Sequence, residues 1–141
     1  MTLEKPFLSS TLPEGVTSRF VDNSNGLKMH LLEAGSEGVE KPLVLLLHGF
    51  PELAYSWRKI IPLLAKAGYR VCAPDLRGYG RTLGWGPIKY EDDMSSFTLL
   101  NTVRDAIGLI RALGYSEVFS VVGHDYGCLL YTSDAADEER G

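Results

Sequence analysis

Residues 123–127 read Gly-His-Asp-Tyr-Gly and place one carboxylate, Asp125, between two glycines just after an apolar stretch. A Gly-x-nucleophile-x-Gly pattern is typical of a strand that turns sharply into a helix, because the glycines let two backbone segments approach and turn the central side chain outward. A carboxylate with an ordinary pKa near ~3.9 is already ionised at neutral pH and needs no base to attack. Asp125 is therefore a candidate nucleophile toward an electrophilic carbon that carries a leaving group.

Such an attack leaves an alkyl ester on the protein, which water must then hydrolyse at the carboxyl carbon. The tetrahedral intermediate of that step needs two backbone N–H donors. At a turn of this kind one donor belongs to the residue after the nucleophile, Tyr126, and the other to the loop after an early strand, where Phe50 is the candidate. The competing interpretation is that Asp125 only sits at a helix N-terminus, where the helix dipole favours a negative charge. The flanking glycines favour the nucleophile.

Two further loops carry polar residues directly after apolar segments. Residues 48–52 read His-Gly-Phe-Pro-Glu, and residues 75–80 read Asp-Leu-Arg-Gly-Tyr-Gly. Together with residues 123–127 we call them the strand-end loops. In open α/β sheets ligands bind beyond the carboxyl ends of the strands. The three loops should therefore gather at one edge of a sheet.

The apolar segments predict that sheet. Residues 43–47 are apolar at every position, which is typical of a strand with helices on both faces. Residues 69–73 and 117–122 are predicted to be further buried strands. Residues 19–22 and 28–33 flank an Asn-Ser-Asn-Gly turn, whose Asn-Gly end predicts an antiparallel hairpin.

Apolar residues recur at helical spacing in two places. One predicted helix covers residues 56–67 and is followed by Gly68 as a C-terminal cap; the other runs from Ser95 or Ser96 to Gly114. Strands that alternate with helices of this length indicate right-handed crossovers in a parallel sheet. The predicted class is α/β, with a mostly parallel sheet and an antiparallel N-terminal hairpin.

Composition restricts the function further. The 141 residues are 45% hydrophobic and suit one globular domain, and 14 basic against 18 acidic residues give a net charge of −4. That balance disfavours a nucleic-acid partner. The longest aliphatic run, residues 43–47, is far shorter than the roughly 20 residues of a membrane span, and no export signal is evident. We expect a cytoplasmic protein with reduced Cys72 and Cys128, and no metal.

The three strand-end loops, in this order, resemble those of the epoxide hydrolases of the α/β-hydrolase fold, over about residues 16–128. The resemblance implies that Asp125 opens an oxirane to a hydroxyalkyl ester, with a small-molecule epoxide and water as substrates and a vicinal diol as product. It also implies a histidine, held by an acidic partner, that activates the water, and lid tyrosines that bind the epoxide oxygen. No cofactor takes part.

Two related activities remain as alternatives. Haloalkane dehalogenases also use an aspartate nucleophile, but typically hold the halide with a tryptophan after it and an asparagine after His-Gly, where this chain has Tyr126 and Phe50. Haloacetate dehalogenases place an arginine after the aspartate, to pair the substrate carboxylate. The alternative from another class is a non-catalytic fragment.

Four other polar residues of the strand-end loops have structural and catalytic interpretations. His48 could be a base, but we expect it to order the loop that carries Phe50, as its counterparts do in the resembled family. His124 is expected to point away from Asp125. Asp75 and Arg77 are expected to hold a turn together.

The resemblance also divides the chain. We expect an N-terminal extension at residues 1–15, a partial α/β-hydrolase core at 16–128, and an acidic tail foreign to the family at 129–141, with the lid and C-terminal strands absent. Residues 132–141 carry four acidic side chains and one basic one, and thus most of the net charge. In the resembled fold the catalytic acid and histidine follow the nucleophile, but no histidine follows Asp125. Turnover by this sequence alone is therefore not expected.

Overall fold

The computed structural model describes residues 9–37, 40–49, 52–84 and 99–124. Within these ranges no helix has the length and apolar character needed to cross a bilayer. Two short 3₁₀ helices lie at Ser9–Thr11 and Ala54–Trp57. The strands and α-helices, in chain order, are β1 (Thr17–Asp22), β2 (Lys28–Ala34), β3 (Leu43–Leu47), α1 (Ile61–Lys66), β4 (Arg70–Pro74), α2 (Leu99–Ala112) and β5 (Ser120–Gly123).

The five strands form one mixed sheet in the order β1-β2-β4-β3-β5. The predicted hairpin is confirmed, because β1 and β2 pair antiparallel with Phe20 opposite His30. Gly26 closes its turn with a φ of +85°, a conformation that glycine adopts without strain. The β2-β4 pair is also antiparallel, whereas β3 pairs in parallel with β4 on one side and β5 on the other. The parallel part of the sheet is thus its second half.

Strand β3 is buried on both faces, as its sequence predicts. Leu43, Leu45 and Leu47 pack in a core cluster with residues of α2. Val44 and Leu46 pack in a second cluster with Ile61 of α1. Because successive side chains of a strand point to opposite faces, the two helices lie on opposite faces of the sheet.

The predicted helix at residues 56–67 is only partly correct. The chain forms a 3₁₀ helix at Ala54–Trp57, and the α-helix begins at Ile61 with Pro62 in its first turn. Proline lacks the N–H of an interior helical bond and its ring clashes with the preceding turn, so it is accepted only at a helix start. The predicted cap is confirmed: Gly68 has a φ of +100°, and the next residue, Tyr69, donates its N–H to the Leu64 carbonyl at 3.3 Å.

The second helix ends as predicted, since α2 stops at Ala112 and Gly114 follows with a φ of +88°. Its predicted start at Ser95 or Ser96 lies outside the described residues. The prediction of a buried strand at residues 117–122 is wrong in part, because β5 is shorter and its residues are only partly covered. It has β3 on one side and no partner strand among the described residues on the other.

Candidate functional site

The strand-end loops meet at the carboxyl ends of the parallel strands. Gly123 of β5 lies opposite Leu47 of β3, and the next residue, His124, donates its N–H to the Leu47 carbonyl at 3.1 Å. Beyond the strands, His124 Nδ1 lies 3.4 Å from Glu52 Oε2. Both side chains are substantially exposed. Numbered in chain order, the strand-end loops are the first (residues 48–52), the second (75–80) and the third (123–127), and this contact is a surface ion pair between the first and the third.

Asp125, Phe50 and Tyr126, the three predicted site residues, lie outside the described residues. Their sequence neighbours are described, and the structure brings these together. Gly49 precedes Phe50 and His124 precedes Asp125, and the pairing of β3 with β5 sets the two neighbours at the same sheet edge. Whether the three residues complete an oxyanion-binding site remains a prediction.

His48 is a structural residue of the first loop. Its side chain is fully buried, its Nδ1 donates to the Gly49 carbonyl at 3.0 Å, and its Nε2 accepts the Leu76 N–H at 3.0 Å. The Tyr79 ring packs edge-on against the imidazole, with centroids 4.9 Å apart. Because both ring nitrogens are engaged by backbone groups, His48 orders the loop, as expected from the sequence, and has no nitrogen left to act as a base.

Burial lowers the pKa of His48 below its ordinary value of 6.5, against the opposing effects of the Gly49 carbonyl and of nearby Asp75 and Glu52. The folded protein therefore holds His48 neutral at a pH where the unfolded chain binds a proton. Since the unfolded state binds more protons, stability is complete above about pH 6.5 and falls as the pH drops toward the lower folded pKa.

We expect this loss to be measurable as urea unfolding at pH 8, 7, 6 and 5.5. The free energy of unfolding should fall by up to about 1.4 kcal/mol per pH unit below pH 6.5 through His48 alone. His48→Gln, which cannot titrate, is the matched comparison, because His30 and His124 remain in both proteins. Equal slopes in the two proteins would contradict the assignment.

Asp75, the first residue of the second loop, is its main hydrogen-bond acceptor. Its carboxylate, in a residue 2% exposed, accepts three hydrogen bonds: from His30 Nδ1 at 2.7 Å, from the Ala54 N–H at 2.9 Å and from the Arg81 N–H at 3.1 Å. Burial would raise the pKa of Asp75, but the hydrogen bonds from His30, Ala54 and Arg81 outweigh it and lower the pKa below the ordinary 3.8. The carboxylate is therefore ionised and fixed in orientation, in agreement with its expected role in the turn.

Two hydrogen bonds join the second loop, residues 75–80, to the residues on either side of residues 49–53. His48 holds the Leu76 N–H, and in return Asp75 holds the Ala54 N–H. These bonds anchor the first loop on both sides of residues 49–53. His48 and Ala54 are therefore fixed relative to the second loop.

Arg77 connects the second loop to α2. Its Nε and one terminal nitrogen donate to the two carboxylate oxygens of Asp105, each at 2.8 Å. Asn25 of the hairpin turn donates to the same carboxylate at 2.6 Å. The hydrogen bond that Arg77 donates to Asp105 raises the pKa of Arg77, and it outweighs the opposing effect of partial burial. Sequence reasoning missed Asp105; its one signal was a carboxylate beside the apolar positions of a predicted helix.

Among the described residues no group of three or more histidine, cysteine, aspartate or glutamate side chains is arranged to hold a metal ion. The described residues of the strand-end loops present carboxylate, imidazole and backbone amide groups. Cys72 is buried in β4 with a free thiol. Its burial raises the pKa of that thiol far above the ordinary value, which makes it unreactive.

Known proteins resemble this chain in sequence and in fold. Epoxide hydrolase 3 from Siraitia grosvenorii is 46% identical over 108 residues, which cover 77% of this chain and 31% of that protein. Epoxide hydrolase A from Mycobacterium tuberculosis is 43% identical over 114 residues, 81% of this chain and 32% of that protein. The crystal structure of Epoxide Hydrolase A from Mycobacterium thermoresistibile superposes with a TM-score of 0.74 at 41% identity, covering 85% of this chain and 34% of that one.

An epoxide hydrolase from Vigna radiata gives a TM-score of 0.68 at 45% identity, covering 84% of this chain and 35% of that chain. The chain thus spans about a third of the length of these relatives. The sequence pattern of the α/β-hydrolase fold matches residues 42–138, which include all three strand-end loops. With this match and the sheet described above, the chain belongs to the α/β-hydrolase fold family.

Proposed function

We propose that this sequence carries the nucleophilic half of an epoxide hydrolase, with Asp125 as nucleophile, a small-molecule epoxide and water as substrates, and no nucleic-acid or membrane partner. The observation that supports it most is the pairing of β3 with β5, which sets the sequence neighbours of Phe50 and Asp125 at one sheet edge. The relatives named above are epoxide hydrolases. The motifs that carry the proposed site residues, at 48–52 and 123–127, are both present in this sequence.

The proposed first step forms a carbon–oxygen bond. A carboxylate oxygen of Asp125 attacks one oxirane carbon in line with the departing ring oxygen, the ring carbon–oxygen bond breaks, and the released alkoxide takes a proton from water. The product of this step is a hydroxyalkyl ester of Asp125. It requires no histidine, because the carboxylate is already an anion.

The proposed second step is hydrolysis of that ester. Water adds to the carboxyl carbon, and the N–H groups of Phe50 and Tyr126 would stabilise the resulting oxyanion; losing one such donor typically costs roughly 3–4 kcal/mol of barrier. The 141-residue sequence has no histidine after Asp125 to activate the water. We therefore expect this sequence to stop at the ester.

The alternatives are less well supported. A dehalogenase is not favoured, since the relatives named above carry the name epoxide hydrolase. If the chain is a non-catalytic fragment, no reaction is expected at all, and the experiment below distinguishes this case.

We also propose that residues 16–128 form the partial core, flanked by the extension at 1–15 and the acidic tail at 129–141, and that the protein is cytoplasmic.

Incubation with styrene oxide tests the proposal by intact-mass and peptide mass spectrometry. We expect one equivalent of covalent adduct, located on Asp125 and absent from Asp125→Ala. Asp22→Ala is the matched control, because Asp22 lies exposed at the end of β1 and its loss should leave the adduct unchanged. An adduct on another residue, an undiminished adduct in Asp125→Ala, or no adduct on the folded chain would remove the assignment.

A further inference from the structure

A serine, a histidine and an aspartate form a continuous hydrogen-bonded chain at the hairpin. Ser18 Oγ lies 2.6 Å from His30 Nε2, and His30 Nδ1 lies 2.7 Å from Asp75 Oδ2. His30 has no exposed surface and Asp75 only 2%, whereas Ser18 is partly exposed. Ser18 is therefore the member of this hydrogen-bonded chain that lies in part at the surface.

Asp75 orients this chain. Its ionised carboxylate can only accept, so Nδ1 of His30 is the donor of this pair, and in the neutral imidazole the lone pair of Nε2 faces the Ser18 hydroxyl. Hydrogen bonds from the N–H groups of Ala54 and Arg81 keep the carboxylate from rotating. A hydroxyl within hydrogen-bond reach of a base, with that base oriented by a third group, is the arrangement that activates a serine.

The surface beside Ser18 offers an aromatic ring and a positive charge. Phe20 lies two residues along β1 on the same face and contacts the His30 ring edge-on, with centroids 5.4 Å apart. Lys28 Nζ lies 5.4 Å from the centroid of the Phe20 ring. This combination suits a compound with an apolar group and an oxygen that becomes negative during the reaction, as the oxygens of a phosphonyl group do.

We propose that Ser18 is a second nucleophile of this protein, reactive toward phosphonyl compounds that carry a good leaving group. With an alkyl phosphonofluoridate, Ser18 Oγ bonds to phosphorus, the phosphorus–fluorine bond breaks and fluoride leaves. The hydroxyl proton passes to His30 Nε2, and Asp75 stabilises the imidazolium until it releases the proton to water. No atom of Asp125 takes part, so this proposal is independent of the proposed function.

An alkyl phosphonofluoridate probe on the full chain tests it, with adducts located by peptide sequencing in the mass spectrometer. We expect one adduct on Ser18, formed about 100-fold faster than on any other hydroxyl group, the size of a general-base effect. Ser18→Ala should lose the adduct, and Ser24→Ala, which removes an exposed serine of the hairpin turn, should keep it. His30→Asn keeps a donor toward Asp75 but removes Nε2, and should slow labelling by a similar factor.

A purely structural network gives the opposite results. No adduct on the folded chain, an adduct retained in Ser18→Ala, or labelling of His30→Asn at the original rate would overturn the proposal. Should His30→Asn fail to fold, the rates at Ser18 and Ser24 within the original protein decide, and equal rates overturn it. Asp125→Ala should react as the original protein does, which separates this outcome from a failure of the epoxide reaction.

Discussion

Replacing Asp75 with alanine is expected to lower the free energy of unfolding by about 3–5 kcal/mol, because several donors lose their acceptor at once and each buried one typically costs roughly 1–3 kcal/mol. The carboxylate accepts hydrogen bonds from His30 and from two backbone N–H groups. Alanine removes the acceptor of the buried His30 Nδ1 and Ala54 N–H groups and of the partly buried Arg81 N–H. A buried donor that loses its acceptor costs its desolvation free energy.

Urea unfolding at pH 7 measures the loss, with Asp22→Ala as the control for removal of an exposed carboxylate; the control should change stability by less than about 0.5 kcal/mol. Asp75→Asn should fall between the two, because it keeps one carbonyl acceptor but turns an amide N–H toward another donor. A loss below about 1 kcal/mol in Asp75→Ala would mean that the three hydrogen bonds of this carboxylate contribute little to stability.

The sheet was the most predictable part of the molecule. Residues 43–47 are apolar at every position, which predicts that both faces of the strand are buried. In the structure β3 packs against α2 on one face and against α1 on the other. The turn residues Asn25 and Gly26 fixed the hairpin in the same local way. The start of α1 was missed because apolar spacing continues through Pro62, whose steric effect on the preceding turn is stronger than the periodicity.

The partners of the polar residues were less predictable, for a physical reason. The spacing of apolar residues reports which face is buried, but it does not say which donor meets which acceptor across the fold. Asp75 meets His30 from 45 positions away, and Asp105 meets Arg77 from 28. Such pairs depend on the register of the strands and the placement of the helices. Local residue spacing does not encode these features, so the partners become visible only in the folded structure.

Replacing Asp105 is expected to cause the second largest loss in the free energy of unfolding among the substitutions considered. Its residue is 1% exposed and receives two hydrogen bonds from Arg77 and one from Asn25. Asp105→Ala leaves the Arg77 guanidinium, whose side chain is 13% exposed, without its carboxylate. We expect a loss of about 3 kcal/mol, at the lower end of the range for a broken buried pair because Arg77 retains some contact with water.

A double-mutant cycle separates the pair from its surroundings. Arg77→Met and Asp105→Leu should each destabilise the protein, because each leaves the charge of the other residue without its partner. The double variant replaces both charges by apolar groups and should recover most of either loss. Recovery follows because the cost lies in an unpaired buried charge rather than in the missing attraction. Additive losses in the double variant would mean that the two side chains act independently, and that the second loop is held to α2 by other contacts.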